Sequence, residues 1–369
     1  MNQPTTVRAA VLRAPAAPFT LETLTLPRPG PGEALVRIAG AGVCHTDLLP
    51  RTGGPWGRPP IVLGHESAGV VEDVGQDTGD IVPGDHVVAS FASCGQCRHC
   101  LAGRPPYCDR FWPLNFSGAP AGCPLAQDAD GQPVSSRWFG QSSFATRSII
   151  AAASLVRVDP ALPLATLAPL GCGVLTGAAS ILKGLDVQAG STVVVVGTGS
   201  VGLSAIMAAR LAGARHVTAV DLHKDRLDLA AELGAEHQIQ PREEASLTAQ
   251  LRDLVPGGFD YCFDTTGLPA VISETVEALT PTGVCGLVGA PRGPLQLPAA
   301  ALAVGRTIRG LLFGDADPHV WIPRLVQHWQ DGDFPFDRLI TTYPLDAINE
   351  AERDSKTGGA IKPVLIPNA

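Results

Sequence analysis

Residues 192–213 read TVVVVGTGSVGLSAIMAARLAG. A run of valines ends at Gly197, and Gly197, Gly199 and Gly202 fall as G-x-G-x-x-G at the opening of an alanine-rich apolar segment. That order predicts a buried strand, a tight turn and a helix. The helix would begin at Ser200 and Val201, where backbone N–H groups and the helix dipole suit a pyrophosphate. A glycine turn alone is weak evidence. Here it is joined by Asp221, at the end of the next apolar run HVTAV (216–220) and about 20 residues on. A carboxylate there accepts bonds from ribose hydroxyls and repels a 2′-phosphate, which predicts NAD over NADP. Lys224 and Arg226 follow either as solvated helix charges or as contacts to the adenosine side.

Working outward, the segments KDRLDLAAELG (224–234), FDYCFD (259–264), VISETVEAL (271–279), GVCGLVG (283–289) and TIRGLLF (307–313) continue the alternation of helix and strand. Such alternation predicts an α/β unit with a doubly wound parallel sheet over 174–313. Before it, to about residue 158, short apolar runs separated by Gly and Pro (VRAAVLR, EALVRIAGAGV, SAGVVEDVG, DHVVASF, FATRSII) predict an all-β, barrel-like unit. Residues 113–140 read as one long loop. After 313, VWIPRLVQHWQDG and GGAIKPVLI do not extend the alternation and are expected to return to the first unit.

The 369 residues suffice for two cores, and 45% hydrophobic with 17% charged residues indicates a globular chain. A formal net charge of −8 and no basic patch give no electrostatic reason for nucleic acid or an anionic membrane as partner. The N-terminal stretch lacks the apolar core of a secretory signal, so a cytoplasmic location is expected. Nine cysteines, four of them between 94 and 108, suggest metal ligation in a reducing compartment.

Two motifs carry the metal chemistry. GVCHTD (42–47) and GHE (64–66) offer Cys44 and His65, ligands suited to Zn²⁺, and Cys172 in PLGCG is the best third candidate. Three such residues far apart could equally be core thiols and a satisfied imidazole. Their neighbours favour a metal: Asp47 and Glu66 are carboxylates beside ligands, and Thr46 offers a hydroxyl. Cys94, Cys97, Cys100 and Cys108, spaced C-x₂-C-x₂-C-x₇-C, would close a structural zinc shell, with a disulfide pair or an iron–sulfur cluster as rivals. His99 reads as a solvated loop residue, and Cys123, Cys262 and Cys285 as ordinary thiols.

In this order, GVCHTD, GHE, the four-cysteine cluster, GCG, GTGSVG and Asp221 resemble the zinc-dependent medium-chain alcohol dehydrogenases over essentially the whole chain. LNFSG (114–118), FGQSSFAT (139–146), FPFDRLI (334–340) and GGAIKPVL (358–365) look like the aryl-alcohol, or benzyl-alcohol, branch. The resemblance implies a GroES-like β-barrel catalytic domain over 1–173, resumed at 314–369, and a Rossmann domain over 174–313. A Cys₂His zinc site is the one the family is known for. The resemblance further implies that His45 and Lys362 contact the NAD pyrophosphate, and that Thr176, Val288, Gly289 and Ala290 lie near the nicotinamide. The implied reaction is oxidation of a primary, aromatic or allylic alcohol by NAD with two zinc ions per chain. Thr46 would take the alcohol proton first.

The chain departs from the liver-type pattern at Leu49, where many relatives carry a relay histidine. It also has Trp112 where glutathione-dependent formaldehyde dehydrogenases carry a carboxylate-holding arginine, which favours an uncharged substrate. Phe91, Trp112 and Leu114 are candidate pocket residues. The alternatives are an S-(hydroxymethyl)glutathione or aliphatic alcohol dehydrogenase, a zinc-free reductase of the same fold, and a non-catalytic zinc-thiolate module. The apolar edge strand TIRGLLF suggests a homodimer, with a tetramer as the other option.

Overall fold

The computed structural model describes residues 5–367 apart from 121, 243 and 291. They divide into two compact units. One is built from Met1–Cys172, Asp317–Val326 and Asp337–Ala369, the other from Gly173–Ala316 and Gln327–Phe336. Residues 327–336 therefore depart from the expectation that everything after 313 rejoins the first unit. Trp329, Phe334 and Phe336 form an aromatic knot there, with neighbouring ring centroids 5.5 and 6.0 Å apart, so this stretch brings its own apolar surface.

The first unit holds two sheets. A five-stranded sheet runs Ile61–Val62, Thr5–Leu12, Phe19–Leu26, Ala126–Gln127, Pro133–Val134 in spatial order. The seven-stranded sheet is centred on Glu33–Gly42, which pairs with Ser67–Val74, Arg147–Ala151 and, through Gly42 and Ala41, with the C-terminal strand Lys362–Ile366. That last pairing joins the strand Lys362–Ile366 to the sheet of the first unit. The strand Phe19–Leu26 (FTLETLTL) was not foreseen, although its period-2 pattern is legible. The expected long loop at 113–140 is also more ordered than anticipated. It contains the last residues of the short helix Phe111–Asn115, two short strands pairing Ala126 with Val134, and a turn at Trp138–Gly140.

The second unit is a six-stranded, wholly parallel sheet. Its order is His237–Ile239, His216–Val220, Thr192–Val196, Phe259–Asp264, Leu279–Leu287, Thr307–Gly310, which numbered within the unit is 3-2-1-4-5-6, the Rossmann order. Val193, Val194 and Val195 have no exposed surface, which explains an unbroken apolar run instead of alternation. The strand His237–Ile239 and the helix Leu247–Leu254 were not foreseen. Among the described residues, no single helix is long and apolar enough to cross a membrane.

Candidate active site

The turn that follows Glu33–Gly42 sets the first ligand. Cys44 caps the 3₁₀ helix His45–Thr52, and Asp47, its third residue, reaches back so that Oδ2 accepts from the Cys44 N–H at 3.2 Å. The other oxygen, Oδ1, accepts from the Gly64 N–H at 3.1 Å and from Nδ1 of His65 at 2.8 Å. One buried carboxylate thus fixes the backbone of one ligand and the ring of another. Donating its Nδ1–H to Asp47, His65 keeps Nε2 as the metal-facing atom. That Nε2 is buried and finds no hydrogen-bond partner among the described residues.

Gly64 sits at φ 93°, and a Cβ there would meet Phe144 at 2.5 Å, so the motif needs glycine before its histidine. Cys172 ends the 3₁₀ turn Ala168–Gly171, whose last carbonyl accepts from Ser90 Oγ at 2.6 Å. The outcome is that Cys44, His65, Cys172 and also Glu66 offer donor atoms all within 4.8 Å of one another. Two sulfurs, an orphaned imidazole nitrogen and an adjoining carboxylate are a donor set that suits zinc.

These buried groups shift one another's ionisation. The Cys44 thiol is held well below its ordinary range, chiefly by a hydrogen bond from Cys172, against burial and with help from the charges of His65 and Lys362. Cys172 is pushed well up by the same bond and by burial. Burial opposes charge on His65, but Asp47 and Cys44 outweigh it and raise its pKa. Glu66 is pushed up by burial and pulled back by Lys362, whose ammonium lies 2.8 and 3.0 Å from its two oxygens. Lys362 is itself buried and also reaches the Val43 carbonyl at 3.4 Å. The residue expected at a pyrophosphate is thus engaged with the carboxylate beside the ligands, and a role at an anion would require it to exchange that partner.

Three residues that sequence reasoning did not assign to the site support it. Trp138 donates its indole N–H to Asp47 Oδ1 at 3.0 Å. Phe139 lays its ring on His65, with centroids 4.5 Å apart. Gln141, fully buried, donates to the His65 and Ser90 carbonyls at 2.9 and 3.0 Å and accepts from Ser67 at 2.8 Å. All three stand in or beside FGQSSFAT, read from sequence only as a branch marker. Thr46 is half-buried on the ligand turn, His45 is exposed and Leu49 is half-buried. Of the pocket candidates, Phe91 is buried against Phe111, Leu114 is half-buried, and Trp112 is exposed between Trp56 and Phe116.

In the second cluster, Cys94, Cys97, Cys100 and Cys108 present their sulfurs within 4.8 Å of each other. Backbone N–H groups of Asp109, Cys94 and Arg110 donate to these sulfurs. The Asp109 bond, followed by the Cys100 amide, takes Cys97 down to about 6, while burial takes Cys100 up to about 12.

In the second unit, the expected cofactor residues gather at the C-terminal ends of the parallel strands, where such sheets bind ligands. Gly197 follows Val196, Asp221 follows Val220, and Val288, Gly289 and Ala290 follow Leu287. A Cβ on Gly202 would collide with the Gly197 carbonyl at 1.8 Å, whereas one on Gly199 would meet nothing within 4 Å. The helix Ser200–Leu211 has no side-chain cap on its first turn. Open space above uncapped N–H groups fits a pyrophosphate. Asp221 accepts from the Thr198 N–H and Oγ1 at 2.7 and 2.9 Å and from the His223 N–H at 2.9 Å. Lys224 pairs with Asp228 at 2.7 Å on its own exposed helix, the solvated alternative. Thr176 is half-buried on the helix Gly173–Ala179.

Residues 30–158 match the family model described as alcohol dehydrogenase GroES-like domain, and residues 200–329 the one described as zinc-binding dehydrogenase. Geraniol dehydrogenase of Castellaniella defragrans is 44% identical over 365 residues, 97% of each chain. Among solved structures, an alcohol dehydrogenase zinc-binding domain protein from Burkholderia ambifaria superposes with a TM-score of 0.96 at 43% identity, covering 100% of both chains. Benzyl alcohol dehydrogenase from Acinetobacter calcoaceticus does so with a TM-score of 0.92 at 37% identity, covering 99% of this chain and 100% of its own. Matched by both domain models and by full-length relatives, and carrying the two thiolate clusters in place, the chain belongs to the zinc-type alcohol dehydrogenase family.

Proposed function

We propose that this alcohol dehydrogenase oxidises a primary aromatic or allylic alcohol to the aldehyde with NAD, reversibly. One observation carries the substrate class: an unbroken series of aromatic rings leads outward from a metal ligand. Phe139 lies on His65, Phe116 is 4.9 Å from Phe139, Trp112 is 5.0 Å from Phe116, and Trp56 is 5.4 Å from Trp112. The series begins buried and ends at the exposed Trp112 and Trp56, so it presents π faces and no fixed charge to an entering molecule. Two of the relatives, geraniol dehydrogenase and benzyl alcohol dehydrogenase, carry an allylic and an aromatic alcohol in their names.

Cys44, His65 and Cys172 would hold the catalytic zinc, and Cys94, Cys97, Cys100 and Cys108 a structural one. When bound, the catalytic ion supplies Lewis acidity that lowers an alcohol's pKa toward neutrality. Thr46 is assigned as first acceptor of the proton. Because Leu49 offers no imidazole, the rate should show little dependence on a group of imidazole pKa. Asp221 and the turn Gly197–Gly202 would hold NAD, with His45, Thr176 and Val288–Ala290 as further contacts. A homodimer through the edge strand Thr307–Gly310 fits this reading, and a monomeric mass in light scattering would refute it.

The deciding assay follows NADH absorbance with NAD and benzyl, cinnamyl, terpenoid and short aliphatic alcohols, and with formaldehyde plus glutathione. The aromatic and allylic alcohols should give the highest kcat/KM. A preference for the glutathione adduct or for ethanol would overturn the substrate class.

A further inference from the structure

We infer that the nucleotide-binding unit carries a third metal site, formed by His216, Glu236 and His237, for an exchangeable divalent transition ion. The three side chains offer one nitrogen or oxygen donor each, all within 4.8 Å of one another. His216 opens the strand His216–Val220, and Glu236 and His237 open the edge of the sheet at His237–Ile239. The parallel register pairs Thr218 with His237, so His237 shares a pleat face with Thr218 and therefore with His216. The imidazole centroids are accordingly 5.8 Å apart.

Glu236 completes the set. Its Oε2 lies 3.0 Å from Nδ1 of His216, close to the spacing of neighbouring donors on one tetrahedral ion, while Oε1 is 3.4 Å from Arg210. A zinc-like ion with ligand distances of about 2.0–2.2 Å holds its donors roughly 3.3–3.6 Å apart, so small rotations of these rings suffice to close the shell. Side-chain exposures of 40% for His216 and 38% for Glu236 leave both the freedom to rotate and a path for the ion. Glu236 and His237 also line an open groove of about 550 Å³ that includes Asp253.

Two imidazoles and one carboxylate select a borderline ion such as Zn²⁺, Co²⁺ or Ni²⁺ over Ca²⁺ or Mg²⁺. The set lies at the N-terminal ends of the strands, whereas Gly197 and Asp221 follow their C-terminal ends. An ion here would therefore brace the short edge strand without touching the dinucleotide turn.

The test uses tag-free enzyme with both cysteine sites filled by zinc, dialysed against Co²⁺. A third equivalent should bind, showing d–d absorption without a thiolate-to-cobalt charge-transfer band, and should raise the thermal midpoint. His237→Ala and His216→Ala should each lose that equivalent while keeping both zinc ions. No third equivalent in the wild type, one bearing the thiolate band, or one retained in either variant would overturn the assignment.

Discussion

The indole N–H of Trp138 and Oδ1 of Asp47 are joined by a 3.0 Å hydrogen bond inside a fully buried site. Through it, a residue far from the ligand motifs holds the carboxylate that holds His65. Hydrogen bonds to a charged group contribute about 1.5–3 kcal/mol, and loss of such outer partners weakens metal affinity about 10- to 100-fold. Trp138→Phe preserves most of the packing and should weaken the catalytic zinc by that factor. Chelator competition monitored by zinc release would measure it, with the four-cysteine zinc as internal reference; equal retention in variant and wild type would refute the role.

The pair Glu66–Lys362 gives a second prediction. Removing one member of a buried ion pair costs about 3–5 kcal/mol because the other is left uncompensated, while removing both is far milder. Lys362→Met should therefore lower stability by about 3 kcal/mol, and adding Glu66→Gln should restore more than half. Urea unfolding of Lys362→Met, Glu66→Gln and the double variant decides this, and a double variant as unstable as the sum of both single changes would contradict it.

How much of this was legible beforehand depends on how local the signal is. Cys44 announces itself because its support, Asp47, stands three residues on, whereas His65 has a carboxylate beside it in Glu66 but donates to Asp47, 18 positions away. The support given by Trp138 and Gln141 was invisible, since nothing in FGQSSFAT reveals which carboxylate or carbonyl the indole and amide will reach. The same holds for Lys362, which meets Glu66 across 296 positions. The Rossmann strands were readable where burial on both faces forces an apolar run, as at Thr192–Val196. They were missed at His237–Ile239, where three half-exposed or exposed residues leave no pattern.

Acid stability should depend on Arg13. Its guanidinium bonds Glu22, and Asp128 at 2.9 Å, and holds the Glu22 carboxyl below its ordinary 4.5. A depressed folded-state pKa contributes stability that is present above the unfolded value and lost as pH falls through the lowered one. Arg13→Ala should thus be destabilising near neutral pH, modestly because the pair is partly exposed, and the difference from wild type should vanish in acid. Denaturation midpoints taken down the acid limb would show a constant gap if the pairing were irrelevant.

Emptying the zinc site proposed for the four cysteines should separate stability from chemistry. Cys97 is the thiol most inclined to ionise in that shell, and Cys97→Ser should release one zinc per chain and lower Tm by roughly 5–10 °C. Below the new Tm, kcat should stay within about twofold, since none of these sulfurs belongs to the Cys44–His65–Cys172 set. Metal analysis with steady-state kinetics tests it, and loss of both ions or of turnover in the folded variant would show that the sites are coupled.

Asp221 has two tasks that substitution can divide. Both lone pairs of Oδ2 are taken by Thr198, which leaves Oδ1, bonded once to His223, free to accept a ribose hydroxyl. Asp221→Gly removes the ribose acceptor and the clasp on the glycine turn together. It should raise KM for NAD about 10- to 100-fold, the equivalent of one charge-assisted hydrogen bond, and narrow the preference over NADP. Thr198→Val removes only the hydroxyl half of the clasp, so NAD should still be preferred as strongly as in the wild type. If Thr198→Val relaxed the cofactor choice as much as Asp221→Gly, the selectivity would reside in the shape of the turn and the ribose contact would lose its support.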